Sequence, residues 1–227
     1  MILVLNLITT EEPRIEFGFE TIPRILRKYG KGYFVVNLNE LHKVKDISGF
    51  THLILSGSGL SASRKNDVDE EIYRIINLFL NEDKAIFGIC YGHQMLAKAV
   101  AGDQACRKAE IPEFGWKKLE IIKDSPIFED IKNPVIIQSH YDEVCNLDDR
   151  FEILAKTDNC KIQAFRLKGK NVWGVQFHPE INFVQGCKMI IENINSETGA
   201  TKFLATDAFG EKDVKQNEKI ILNFLNQ

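Results

Sequence analysis

The chain has 227 residues, enough for one large domain with a full hydrophobic core or at most two small ones. With 29 basic residues against 32 acidic ones its net charge is −3, so it offers no positive field for nucleic acid or an anionic membrane. No apolar stretch approaches the roughly eighteen residues that span a bilayer. Five scattered cysteines without a CxxC pair suit a reducing cytoplasm and argue against a disulfide framework or a zinc site.

The opening "MILVLNLI" lacks a positive leader and runs straight into "TTEEPR", so it reads as a strand and not as a signal peptide. A helix ending at Tyr29-Gly30 follows, then the strands "GYFVVNL" and "THLILSG". After Asp69, apolar residues at Ile72, Ile75, Ile76, Phe79 and Leu80 have the spacing of a helix face. "AIFGIC" is apolar on both parities, as in a strand buried on both sides, and "GHQMLAKAVAG" is a helix closed by Gly102. Alternating strands and helices imply βαβ units and a parallel sheet.

The second half changes character. "WKKLEII", "PVIIQSH", "FEILAKT", "KIQAFRLKG" and "NVWGVQF" are strands with few helices between them, which predicts an antiparallel part of the sheet. Helical spacing returns at Phe183, Val184, Cys187, Ile190, Ile191 and Ile194, and again at Ile220, Ile221, Phe224 and Leu225 with Asp213 as N-cap. Residues 195–213 have no period and read as a surface excursion before the closing helix. Without repeats or linkers, the expectation is a single α/β domain over residues 1–227, its central mixed, mostly parallel sheet flanked by helices.

Two clusters carry chemistry. Gly88-Ile89-Cys90-Tyr91-Gly92 has the G-x-nucleophile-x-G form of a strand-to-helix elbow. Such a turn projects the thiol from the sheet edge and aims the N–H of Tyr91 where an oxyanion could bind. A packing thiol is the plain alternative. A thiol nucleophile needs a base. Of five histidines, His42 and His52 read as surface or structural residues, and His93 faces its own helix surroundings. His178 ends a strand, and Pro179 favours extended backbone there, which puts Glu180 on the same side as the imidazole. A strand-end histidine with an incidental glutamate is the competing reading.

"GICYGHQ" together with "VWGVQFHPE" resembles the class I glutamine amidotransferase family over residues 1 to about 195. The resemblance implies Cys90 as nucleophile, His178 as general base and acid, and Glu180 as its orienter. "LILSGSGLS" is similar to the family's oxyanion loop, which implies an N–H from Gly57, Ser58 or Gly59; Ser58 takes the usual glycine position. "QSHYDEV" resembles a segment of GMP-synthetase-type glutaminases. It implies that Gln94 and the backbone around Ser139, His140, Tyr141 and Asp142 hold the main-chain end of the substrate, with Tyr141 where those relatives have glycine. The implied activity is hydrolysis of the glutamine side-chain amide through a cysteine thioester, with ammonia supplied to a separate synthetase, since the chain carries neither a P-loop nor a PP-loop. No cofactor and no metal are needed for this half. A stand-alone γ-glutamyl hydrolase or peptidase with the same triad is the alternative, and a non-catalytic binding module is a third reading. Cys106, Cys145, Cys160 and Cys187 are expected to be core thiols.

Overall fold

The computed structural model describes residues 1–9, 20–195, 199–207 and 209–227. Its first strand, β1 (Ile2–Asn6), is wholly buried, which accounts for its unbroken apolar run. Helix α1 (Ile22–Lys28) begins with Pro23 in its first turn and stops at Gly30, whose φ of 62° only glycine adopts freely. There the N–H groups of Gly30 and Lys31 return to the carbonyls of Arg27 and Leu26. Strands β2 (Tyr33–Asn37), β3 (His52–Leu55) and β4 (Ala85–Ile89) follow, with α2 (Asp69–Asn81) before β4. In α2, Ile72, Ile75, Ile76 and Phe79 are fully buried, so the predicted face is the observed one. Each such side chain contributes about 1.5–3 kcal/mol relative to exposure. Helix α3 (Tyr91–Ala101) ends at Gly102, with φ 93°.

The later strands are β5 (Cys106–Lys118), β6 (Glu120–Ile121), β7 (Val135–Val144), β8 (Phe151–Lys156), β9 (Ala164–Leu167) and β10 (Val172–Val175). Among the described residues eight strands form one sheet in the order β2-β1-β3-β4-β10-β9-β8-β6. The first five are parallel and the last three antiparallel. This mixed α/β sheet matches the expected class. Strands β5 and β7 instead form a separate antiparallel ribbon outside this sheet, with an irregularity between Lys108 and Glu113.

Helices α4 (Phe183–Asn195), α5 (Glu211–Lys215) and α6 (Glu218–Phe224) close the chain. Asp213 does not cap the closing helix as expected: Asn217 is the N-cap of α6, and Asp213 lies within α5, where its Oδ2 accepts the N–H of that helix's own N-cap, Gly210, at 2.8 Å. Of the 195–213 excursion, residues 196–198 and 208 lie outside the described residues. Leu204 bridges Phe114 of β5 in parallel, and the N–H groups of Ala205 and Asp207 donate to the carbonyls of Phe114 and Trp116. This part of the excursion is a strap along the ribbon. Gly115 permits it: its φ is 111°, and a Cβ there would lie 2.5 Å from the Ala205 carbonyl oxygen. Among the described residues no helix is long and apolar enough to cross a membrane.

Candidate active site

Strands β3, β4 and β10 are adjacent and parallel, so their C-terminal ends share one edge of the sheet. Three segments distant in sequence therefore converge: residues 56–59 after β3, Cys90 after β4, and His178 just beyond β10. Crevices at the carboxyl ends of parallel strands are where open α/β sheets bind ligands.

At Cys90 the chain turns from β4 into α3 with φ 51° and ψ −107°, a left-handed conformation costly for a residue with a side chain. The Cys90 N–H donates to the Val175 carbonyl at 2.8 Å, and its carbonyl accepts the Gln94 N–H at 3.1 Å. The flanking glycines are steric requirements. A Cβ on Gly88 would lie 2.5 Å from the Gly92 carbonyl oxygen, and one on Gly92 would lie 2.5 Å from that of Leu55. The elbow closes only because both are absent.

His178 is held by its N–H on the Ile137 carbonyl at 3.1 Å. Its ring Nδ1 stands 2.7 Å from Glu180 Oε1, which leaves Nε2 for the Cys90 sulfur. Burial would push the His178 pKa down, but the Glu180 carboxylate and the Cys90 sulfur hold it well above the ordinary imidazole value. Glu180 is 4% exposed, and its backbone carbonyl accepts from Arg24 Nη2 at 3.3 Å. Gly57 faces both partners: a Cβ there would stand 3.0 Å from His178 Cε1 and 3.5 Å from Cys90 Cβ. None of the N–H groups of Gly57, Ser58 and Gly59 donates to a backbone carbonyl of the described residues. The pocket over these groups has about 130 Å³ and is lined by Ser56, Gly57, Ser58, Cys90, Ser139 and His178, with Ile8, Ile181 and Met189 among its apolar walls. Drug-sized ligands occupy roughly 300–1,000 Å³, so this space suits one slender side chain.

A buried thiol on an elbow, an imidazole against it and a carboxylate behind the imidazole form a nucleophile-base-orienter arrangement. The family model for class I glutamine amidotransferases matches residues 15–195. The chain belongs to that family. It is 37% identical over 143 residues to a glutamine-hydrolysing GMP synthase subunit from Methanosphaera stadtmanae, which covers 63% of this chain and 72% of the relative. It is 33% identical over 181 residues to the corresponding subunit from Archaeoglobus fulgidus, covering 74% and 91%. The crystal structure of a glutamine amidotransferase from Thermotoga maritima superposes with a TM-score of 0.77 at 19% identity, over 100% of this chain and 96% of that one, a likeness of fold.

In this amidotransferase the remaining sequence candidates divide. Ser139 lines the pocket, and its carbonyl oxygen lies 3.8 Å from the Cys90 sulfur. Gln94 does not line it: its buried amide nitrogen donates to the carbonyl of Asp142 at 2.9 Å and to Gln176 Oε1 at 3.0 Å. The His140 side chain also turns away, because alternate residues of β7 face opposite sides. Its ring nitrogens meet Glu113 Oε2 at 3.2 Å and the Asp142 carbonyl at 3.0 Å. Tyr141 is 46% exposed and stands edge-on to Phe203 of the strap, with ring centroids 6.0 Å apart. His93 is buried against Phe165 and kept neutral by that burial, its pKa pushed down to about 3.

Outside the pocket, ligand-type atoms of Glu113, His140 and Cys160 lie within 4.8 Å of one another, all buried. The Glu113 carboxylate also accepts from Thr157 Oγ1 at 2.9 Å and Gln163 Nε2 at 2.7 Å, and burial pushes the Cys160 thiol up to about 12. The cluster ties the ribbon to the turn around Thr157. All five cysteines are free, and Cys106, Cys145 and Cys160 are core thiols as expected. Cys187, on α4, is only half-buried. Sequence reading named Asp142 only for its backbone and did not single out Arg24 or Met189: Met189 of α4 lines the pocket, Arg24 of α1 bonds the Glu180 carbonyl, and the Asp142 carboxylate on β7 binds Ser61 and Ser63. Asp142 lay inside the quoted "QSHYDEV" and was the one with a signal to follow.

Proposed function

We propose that this chain is the glutamine-hydrolysing subunit of a two-subunit, GMP-synthase-type enzyme, with Cys90, His178 and Glu180 as its catalytic triad. The observation that carries the triad is the 2.7 Å contact of Glu180 with His178 Nδ1, which leaves Nε2 directed to the Cys90 sulfur on a strained elbow. The glutamine side chain enters the small pocket with its γ-carbonyl over Cys90. The sulfur attacks that carbon, and the oxyanion is held by the N–H of Tyr91 and one from residues 57–59. The His178 imidazolium gives its proton to the departing ammonia, leaving a γ-glutamyl thioester. Neutral His178 then takes a proton from water, which attacks the thioester carbon, and collapse releases glutamate and the thiol.

The relatives named as glutamine-hydrolysing subunits of GMP synthase favour a separate synthetase as ammonia acceptor over a stand-alone γ-glutamyl hydrolase. Five free thiols agree with a cytoplasmic setting. The test mixes the purified chain with the synthetase subunit of GMP synthase from the same source, with glutamine as nitrogen donor. Glutamine-dependent GMP formation, lost with Cys90→Ala but restored by added ammonium, is the expected result. GMP formation from ammonium alone, with no response to the wild-type chain, would refute this acceptor.

A further inference from the structure

We infer that Asp142 is a positioning residue for the hydrolysis: its carboxylate holds the loop after β3 so that the N–H groups of residues 57–59 face the carbonyl that Cys90 attacks. The inference rests on the roles proposed above for Cys90 and that loop. The near end of the loop is fixed at Ser56, whose Oγ accepts the Leu7 N–H at 2.9 Å and donates to the Gly57 carbonyl at 2.9 Å, while its own carbonyl accepts the Gly92 N–H at 3.1 Å. Between this anchor and Ser61, Gly57 and Gly59 have no side chain to restrict them, so their orientation depends on how the far end is held.

Asp142 holds that far end. It is 4% exposed, and its Oδ2 accepts from Ser61 Oγ at 2.6 Å and from the Ser63 N–H at 3.2 Å. Its Oδ1 lies 2.8 Å from Lys108 Nζ on β5. The carbonyl of the same residue accepts from Gln94 on α3. Asp142 stands on β7, three residues from Ser139, which lines the opposite pocket wall. One residue thus joins the oxyanion loop, the ribbon and the elbow helix. Burial would raise its pKa, yet Lys108, Ser61 and Ser63 keep the carboxyl below its usual range, so the clamp remains an anion with charge-assisted hydrogen bonds. Lys98 Nζ on the Ala62 carbonyl and Asn66 Nδ2 on the Ser61 carbonyl brace the loop from its other side.

The experiment compares two reactions of Cys90. Hydrolysis of glutamine passes through an oxyanion. Alkylation by iodoacetamide does not: a sulfur–carbon bond forms as iodide leaves, and no loop N–H is needed. Glutamine turnover by the wild type that Cys90→Ala abolishes tests the proposed function by itself. Given that turnover, Asp142→Ala should lower kcat roughly 10–100-fold, short of the 10²–10³ for outright loss of an oxyanion donor. KM and the alkylation rate should stay within about twofold of the wild type, because the thiol and its base are untouched. Asp142→Asn should recover part of the rate, since its amide oxygen can accept from Ser61 and Ser63 while its NH2 faces the Lys108 ammonium. Ser61→Ala, which removes one bond and no buried charge, should show the same pattern more weakly, and it decides the matter if the alanine variant does not fold. Turnover within twofold of the wild type, or alkylation that falls in step with turnover, would overturn the inference.

Discussion

His178 shows how a single side chain is set for its work. Glu180 and the Cys90 sulfur raise its pKa against the effect of burial, so the imidazolium persists to higher pH than a free histidine would allow. In a thiol-imidazole pair the alkaline limb of the rate profile reports loss of that proton, which the departing ammonia requires. Glu180→Gln removes the negative charge and keeps the shape, so the alkaline limb of kcat/KM should move to lower pH and kcat should fall. An unmoved limb would show that Glu180 does not tune the base. Gly57→Ala makes a second case at this scale. Its Cβ would press on His178 Cε1 at 3.0 Å, between the two ring nitrogens that serve Glu180 and Cys90. Activity should drop at least about tenfold, the equivalent of about 1.4 kcal/mol in the barrier, while the melting temperature changes little. That Cys90, His178 and Glu180 come together could be read from the chain because each lies in a short motif that marks a strand end. The roles expected of Gln94 and His140 could not be checked in that way. Whether a side chain of "QSHYDEV" meets the pocket depends on the parity of β7, and that parity is fixed by long-range pairing with β5, from Gly115 with Gln138 to Cys106 with Val144.

At the scale of elements, the C-terminal helix lies outside the region matched by the family model yet closes one side of the core. Phe224 of α6 is fully buried, stacked on Phe87 of β4 at 5.1 Å and edge-on to Trp173 of β10 and His52 of β3. These are the three strands whose ends carry the site. Phe224→Ala should therefore destabilise the protein by about 3–5 kcal/mol, measured as a lower urea midpoint with an unchanged slope. A loss under about 1 kcal/mol, the size of a surface substitution, would mean that α6 is dispensable. The strands and helices of the first half were legible because each is a local period of two or 3.6 residues. The β5–β7 ribbon was not, since strand periodicity states that a segment pairs but not with which partner. Helix α4 shows a related limit. Its apolar spacing predicted a buried face, but Val184, Ile191 and Ile194 are exposed, and only Gly186 is buried, against Trp116. Two apolar stripes on one helix read as a single one in sequence.

Over the whole molecule, five parallel strands bring the ends of β3, β4 and β10 to one edge, and Ser139 of the ribbon and Met189 of α4 help line the pocket that results. The amidotransferase family and the mixed sheet were both readable, because the elbow and the His-Pro-Glu motif each mark a strand end and the apolar runs supply the strands between. What the ribbon, the strap and α4 add could be found only by folding the chain. The account stands on Cys90 acting as a nucleophile on the glutamine amide. The most direct measurement is release of glutamate and ammonia by the purified chain, given glutamine or γ-glutamyl peptides, beside Cys90→Ala. The account predicts slow, equimolar release from glutamine that the substitution abolishes and that rises when the synthetase is added. Turnover that survives Cys90→Ala, or brisk thiol-dependent cleavage of γ-glutamyl peptides with glutamine left intact, would contradict it.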